Sequence, residues 1–409
     1  MPSFEWLEQS LRELQQAGLY RRRRKLLTAQ GARVRIGSRE LINFASNDYL
    51  NLAADPRVIR AAVHAVRRYG CGAGASPLIV GWSAPLRSLE RELARWQGSE
   101  SALVFASGFA ANLGVLTALA GPEDVLFSDE LNHASLIDGC RLARSRVHVY
   151  RHGDLDHLRS LLEAHNGRPA CASCGLTVRR RFIVTDSVFS MDGDCAPLAE
   201  LVELAERYQA VLIVDEAHAT GVLGPQGRGL VATLHRWPGA GLVKIGTLSK
   251  ALGSQGGFVS GERSLIRFLV NRARSYIFST ALNIAAAAAA RQALRIVQHE
   301  PERRQHLQRL AWQLRQRLAE RGLLAQSTCP PDPEWCTPIV PIIIGEPQRA
   351  VEVSRALMQR GFLVPAIRPP SVPPGTSRLR ISLTAGHTEQ QVESLVESLA
   401  SLLNKMGVR

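Results

Sequence analysis

The sequence predicts an α/β protein with a mainly parallel central sheet flanked by helices, followed by a smaller α+β C-terminal domain. Three observations carry this expectation. Between residues 102 and 250, short apolar runs alternate with amphipathic helical segments, the pattern of repeated βαβ units. Beyond Gly257 the order changes to two long helix-forming stretches and then a mixed strand–helix segment. The length of 409 residues exceeds a single small core and suits one large and one small domain. The expected division is an N-terminal helix and hairpin over 1–50, a large α/β domain over 51–285 and a small α+β domain over 286–409.

Residues 3–18 carry Phe4, Leu7, Leu11 and Leu14 at helical spacing, and Arg21-Arg22-Arg23-Arg24-Lys25 follows as a basic run. Val34 to Phe44, turning at Gly37, reads as a hairpin, and a helix follows Pro56. Gly70, Gly72 and Gly74 form a small-residue loop that lacks the G-x-G-x-x-G pattern. Residues 86–96 are amphipathic. Strands are expected at 102–105, 125–127, 147–150, 182–185, 211–214 and 241–247, with helices after 109, after 133, near 155–165 and over 197–208. Helices over 283–297 and 302–320, strands at 339–344, 362–366 and 379–383, and helices over 350–359 and from Thr388 complete the chain.

Hydrophobic residues make up 45% and charged residues 21%, which argues against disorder. The net charge of +14 suits a polyanionic partner or simply an Arg-rich surface. Aromatic residues, at 6%, lack the interleaving with basic residues that single-strand nucleic acid binding needs, so no nucleic acid partner is expected. Seven scattered cysteines argue for a reducing compartment, and the isolated Cys171–Cys174 pair has no second pair to complete a zinc site, so no metal is expected. No stretch approaches a membrane span, and no signal-peptide core opens the chain; the expected location is cytoplasmic.

Four strand ends carry polar groups that make chemical sense together. Leu212-Ile213-Val214-Asp215-Glu216-Ala217-His218 ends a buried strand in a carboxylate, with His218 three residues on. Thr185 to Asp194 is an unusually polar continuation of another strand. Ser107-Gly108-Phe109 opens a helix whose N–H groups suit a phosphate. Thr247 and Lys250 end the strand that begins at Gly241. A phosphate seat, an acid for a ring nitrogen and a nucleophilic amine on one face are the requirements of pyridoxal 5′-phosphate. A rival reading takes Asp215-Glu216-Ala217-His218 as the second nucleotide motif of a DEAH-type ATPase. That reading needs G-x-x-x-x-G-K-[ST] on an earlier turn, and the chain has no such string.

Nearly end to end, the chain resembles the pyridoxal-phosphate α-oxoamine synthases of fold type I. The resemblance rests on Ser46 to Leu50, Ser107 to Asn112, Leu131 to Ser135, Val188 to Asp194, Val214 to Gly221, Gly246 to Gly253 and Ile367 to Pro373. It implies an acyltransferase in which Lys250 holds the cofactor, His133 stacks on its ring, Asp215 pairs with the pyridine nitrogen and His218 bonds the phenolic oxygen. Lys250 and His133 would then be the catalytic pair. Gly108, Phe109, Ser190 and Thr247 would complete the cofactor site, and Thr280 would reach the phosphate in a neighbouring subunit, making a homodimer with shared sites. Arg21, Asn47, His133, Arg368, Ser371 and Arg380 would contact substrate. The Ile367-Arg368-Pro369-Pro370 string points within the family to condensation of L-alanine with a pimeloyl thioester, on CoA or on an acyl-carrier protein, for biotin biosynthesis. Another member joining glycine to acetyl-CoA is the alternative. Two departures stand out: Pro77 replaces a common basic residue, and Asn283-Ile284 stands where two prolines are frequent.

Overall fold

The computed structural model describes residues 4–165, 180–235, 241–325 and 330–407. Cys171, Cys174 and Cys329 lie outside the described residues. Contacts divide the chain into two compact units, one of Met1–Ala54, Met191–Gly193 and Glu302–Arg409, the other of Asp55–Ser190 and Asp194–Pro301. The strands in chain order are β1 (Arg33–Ile36), β2 (Arg39–Asn43), β3 (Ser101–Phe105), β4 (Val125–Asp129), β5 (Arg146–Tyr150), β6 (Arg181–Asp186) and β7 (Ala210–Asp215). They continue with β8 (Leu242–Thr247), β9 (Gly257–Gly261), β10 (Ile339–Gly345), β11 (Phe362–Leu363), β12 (Ala366–Ile367) and β13 (Ser377–Ser382).

The larger unit is built on a seven-stranded sheet of order β3-β9-β8-β7-β6-β4-β5. Strands β5, β4, β6, β7 and β8 pair in parallel, whereas β9 runs antiparallel to both β8 and β3. Every residue of β4 is buried, as are the last five of β6 and the last four of β7. Strands covered on both faces need continuous apolar runs rather than alternation, which is why Phe182-Ile183-Val184 and Leu212-Ile213-Val214 read so plainly. The helix Gly108–Leu119 buries Ala111, Val115 and Leu116 in the same apolar core as Leu126, Val184, Ile213 and Ile245. Parallel register places Asp186 beside Asp215 and Asp215 beside Ile245, so the polar residues that end these strands gather on one edge of the sheet.

Strand β9 has no counterpart in the sequence expectation. Its string Gly-Phe-Val-Ser-Gly looks like a loop because its ends are glycines. The structure supplies the reason for Gly257: a Cβ there would stand 2.6 Å from both Gly108 Cα and the Ser107 carbonyl oxygen. The start of β9 thus presses against the turn that opens the helix Gly108–Leu119.

The smaller unit has two three-stranded sheets, β1-β2-β11 and β10-β13-β12. Its helices include Glu5–Gln16, Pro301–Glu320, Pro347–Gln359 and Glu389–Lys405. Thr388 caps the last of these in a reciprocal box with Gln391. All six residues of β13 are buried, including Arg378 and Arg380. The alternation Arg-Leu-Arg therefore does not mark a solvent face: β13 is the central strand of its sheet, and both guanidiniums find partners inside the unit. Among the described residues, no helix is long and apolar enough to cross a membrane.

Candidate active site

Lys250 lies three residues past the end of β8, and its Nζ meets His218 Nε2 at 2.7 Å. His218 is buried and follows β7 by three residues, so two neighbouring strand ends deliver the amine and the imidazole to each other. Asp215, the last residue of β7, is also buried. Its Oδ1 accepts the Ala217 N–H at 2.7 Å, and its Oδ2 accepts Asn112 Nδ2 at 2.6 Å. The same amide nitrogen reaches Ser135 Oγ at 2.8 Å. Asn112 thereby holds the carboxylate from the helix Gly108–Leu119, and its own Oδ1 is a buried acceptor with no hydrogen-bond partner among the described residues.

His133 caps the helix Ala134–Leu142 from its exposed N-terminal end. Its Nδ1 accepts the Ser135 N–H at 3.2 Å and lies 2.7 Å from Ser135 Oγ. An Nδ1 that accepts a backbone proton cannot carry one, so the neutral ring bears its proton on Nε2. Desolvation of the ring holds its pKa below the usual imidazole value, and Lys250 acts in the same direction against the opposing pull of Asp215. The His133 backbone N–H donates to Asp186 Oδ2 at 2.7 Å. Asp186 is buried at the end of β6, and burial, reinforced by nearby Asp215, raises its pKa well above the ordinary carboxylate value. Asn132 completes this seat, accepting the Asp186 N–H at 2.9 Å and donating to the Val184 carbonyl at 2.8 Å.

Ser107 caps the helix Gly108–Leu119 by accepting the Ala110 N–H at 3.1 Å. Thr247 Oγ1 lies 2.8 Å from Ser249 Oγ and donates to the Gly256 carbonyl at 3.0 Å. A Cβ on Gly108 would touch Thr247 Oγ1 at 3.4 Å, so the hydroxyl flanks the helix N-terminus directly. The first N–H groups of that helix have no acceptor within it and point at whatever lies before it. Phe109 is 43% exposed, and Ser190, four residues past β6, is half-buried. Thr280 is exposed and, among the residues of the larger unit, is not joined to this cluster by a described contact.

The donor set fits pyridoxal 5′-phosphate. A lysine amine, a buried carboxylate at the neighbouring strand end, a neutral imidazole and a helix N-terminus flanked by hydroxyls match its aldehyde, ring nitrogen, ring face and phosphate in turn. Asn112, Ser135 and Asp186 belong to this cluster although no role fell to them from the sequence. The signal for Asn112 was its place one helical turn after Gly108, which puts both on one side of the helix.

The expected substrate residues, His133 apart, belong to the smaller unit. Asn47 Oδ1 accepts Arg380 Nη1 at 3.1 Å and the Tyr49 hydroxyl at 3.2 Å. Arg380 Nη1 also donates to Ser382 Oγ at 2.6 Å. Arg21 Nη2 donates to the Pro369 carbonyl at 3.2 Å, and Arg368 Nη1 to the Gly18 carbonyl. Partial burial lowers the Arg368 pKa, and Arg21, Arg355 and Arg24 add to the effect, so these guanidiniums share one neighbourhood. Ser371 is exposed and donates its N–H to the Arg368 carbonyl at 3.1 Å.

The family described as "Aminotransferase class I and II" matches residues 39–399, and the chain belongs to it. Within that family, the chain is 47% identical over 401 residues to the 8-amino-7-oxononanoate synthase of Anaeromyxobacter dehalogenans, covering 98% of this chain and 96% of that protein. It is 46% identical over 394 residues to the 8-amino-7-oxononanoate synthase of Nitrosococcus oceani, covering 96% of this chain and all of the other. Among solved structures, a serine palmitoyltransferase from S. paucimobilis with bound PLP superimposes with a TM-score of 0.89 at 28% identity, covering 99% of this chain and 98% of that one. The 8-amino-7-oxononanoate synthase of Francisella tularensis gives a TM-score of 0.75 at 27% identity, covering 90% and 99%. The fold is that of the fold type I PLP-dependent transferases.

Proposed function

We propose that the protein is a pyridoxal-phosphate-dependent acyltransferase that condenses L-alanine with a pimeloyl thioester, releasing CO2 and the free thiol and forming 8-amino-7-oxononanoate for biotin biosynthesis. The observation that carries this reading is the meeting of Lys250 and His218 at 2.7 Å beside the Asn112-held carboxylate of Asp215. Near-full-length relatives that share this activity by name support the choice of substrates.

Pyridoxal phosphate, when bound, withdraws electrons from the amino acid α-carbon so that its C–H and C–CO2 bonds can break. Lys250 would hold its aldehyde carbon, Asp215 its ring nitrogen, His218 its phenolic oxygen and the Ser107–Gly108 turn with Thr247 its phosphate. Gly108, Phe109 and Ser190 would line the same seat. The rest of the work falls to side chains of this chain. His218 fixes the direction of the Lys250 amine, the group that takes the alanine α proton and later returns one. Asn112 and the Ala217 N–H each hold one Asp215 oxygen, which stops the carboxylate from turning. The Asp186–His133 hydrogen bond sets the height of the imidazole, whose Nε2–H can donate to a substrate carboxylate. Arg21, Asn47, Arg368, Ser371 and Arg380 are the residues we assign to the acyl substrate, because guanidinium forks suit carboxylates. Thr280 is assigned to the phosphate of a neighbouring subunit, which would make the protein a homodimer, and the cytoplasm is the location that the scattered cysteines favour.

The deciding experiment supplies alanine, glycine or serine with pimeloyl-, succinyl-, acetyl- or palmitoyl-CoA and follows CO2 and product by mass spectrometry. Alanine with pimeloyl-CoA should give the fastest turnover. Preference for glycine with acetyl-CoA would instead select the other branch of the family. Lys250→Ala should lose about 10²- to 10⁴-fold in turnover, the usual contribution of a positioned acid–base group; full activity in that variant would refute the mechanism.

A further inference from the structure

One cluster outside the groups used above stands at the root of the segment that carries Ser190. His152 follows β5, and both of its ring nitrogens face carboxylates: Nδ1 is 3.0 Å from Asp129 Oδ1 and Nε2 is 2.7 Å from Asp194 Oδ2. Carboxylate oxygens accept, so the ring must donate from both nitrogens to satisfy both contacts. Asp129 is buried at the end of β4 and is itself fixed, accepting the Leu131 N–H at 2.9 Å and the Gly153 N–H at 3.1 Å. Glu130 pins the loop further by accepting the His152 N–H at 2.9 Å. The other end of the bridge is the return leg of a narrow turn. Val188 pairs with Cys195, the Phe189 N–H donates to the Asp194 carbonyl at 3.0 Å, and the Ala196 N–H donates to Ser187 at 3.0 Å. The Phe189 ring meets the imidazole edge-on at 4.3 Å between centroids. His152 thus grips both legs of the turn, and Ser190 is the residue next to Phe189.

We propose that His152 is a positioning residue: its imidazole, held between Asp129 and Asp194, clamps the Val188–Cys195 turn to the sheet and so places Ser190 in the cofactor seat. Ser190's role there rests on the function proposed above. Hydrogen bonding to Asp129 and Asp194 pushes the His152 pKa up to about 10, so the doubly donating ring persists at neutral pH. The clamp acts at the seat and not on substrate. His152→Phe keeps the edge contact in outline and removes both hydrogen bonds, while Asp194→Asn, at a more exposed position, weakens one end only.

Hydrogen exchange in the cofactor-free protein tests the clamp by itself. The Phe189 and Ala196 amides should exchange about tenfold faster in His152→Phe, with a smaller increase in Asp194→Asn and no change in strand amides of β7. Titration with pyridoxal 5′-phosphate should then show about a tenfold weaker Kd in His152→Phe and a shifted visible absorption band. Unchanged exchange at Phe189 and Ala196 in both variants would overturn the clamp. Faster exchange with unchanged Kd and spectrum would reduce His152 to a purely structural role and overturn the assignment. Wild-type protein that took up no pyridoxal phosphate would overturn the function itself, with the exchange data still deciding the clamp.

Discussion

Asp215 is worth little as an acid unless it keeps one orientation, and that orientation comes from Asn112. Hydrogen bonds to carboxylates contribute about 1.5–3 kcal/mol. Asn112→Ala removes the 2.6 Å donor and leaves Ser135 Oγ with its His133 Nδ1 contact alone. Steady-state kinetics should show kcat lower by roughly ten- to a hundredfold, since about 1.4 kcal/mol is a factor of ten, and thermal stability should fall too, because a buried carboxylate loses a donor. Equal kcat in the variant would mean that the Ala217 N–H alone orients Asp215. His152 supports a second prediction, this one about pH. Asp129 on β4, Asp194 on the turn and Glu130 face it, and Arg151, Asp154 and His157 lie along its own loop. Its pKa in the folded protein is raised to about 10. The added stability is therefore complete below the unfolded imidazole value of about 6.5 and fades as pH rises through about 10. The Tm gap between wild type and His152→Phe should be widest near about pH 6 and should narrow toward about pH 10.5. A gap independent of pH would show that packing against Phe189, not the paired hydrogen bonds, makes the difference.

At the scale of elements, legibility followed burial. β4, β6, β7 and β8 are covered on both faces, so their apolar runs stood out, and the polar residues ending them could be read as one constellation from order alone. β9 stayed hidden because its end glycines serve a tertiary contact that leaves no local pattern. Asp186 and Ser135 were likewise out of reach: their partners, His133 and Asn112, come from other elements, so only three-dimensional proximity reveals them. Asn283 shows the opposite case. Where prolines are frequent in the family resembled, its side chain accepts the Ala285 N–H at 2.9 Å and caps the helix Ile284–His299, an exchange of one helix-start signal for another. Gly257 gives the testable consequence at this scale. Gly257→Ala should drive β9 from the Ser107–Gly108 turn, cost about 1–3 kcal/mol as overpacking does, and weaken pyridoxal phosphate binding more than substrate binding. Denaturant melts and cofactor titration of one variant measure both effects; normal cofactor affinity in a destabilised variant would separate the turn from the phosphate seat.

For the whole molecule, the charge is the property that local reading left ambiguous. Lysines and arginines number 50 against 36 acidic residues, a net +14. A basic surface alone would mean only solubility. Here the smaller unit also gathers Arg21, Arg24 and Arg355 around Arg368, whose pKa is lowered first by burial and then by repulsion from these like charges. Such crowding of guanidiniums is relieved when an anion enters. The acyl substrate is anionic on either carrier, whereas alanine is a zwitterion with no net charge. Long-range steering should therefore favour one substrate and ignore the other. Raising ionic strength from about 20 to about 300 mM shortens the screening length from about 20 Å to under about 6 Å. Over that range kcat/KM for pimeloyl-CoA should fall about 3- to 10-fold, with KM for alanine unchanged. Substituting Arg24 and Arg355 together by glutamine should flatten the salt dependence for the thioester while sparing alanine. If salt lowered both kinetic parameters alike, the positive charge would be acting on the protein as a whole and not on the capture of its acyl substrate.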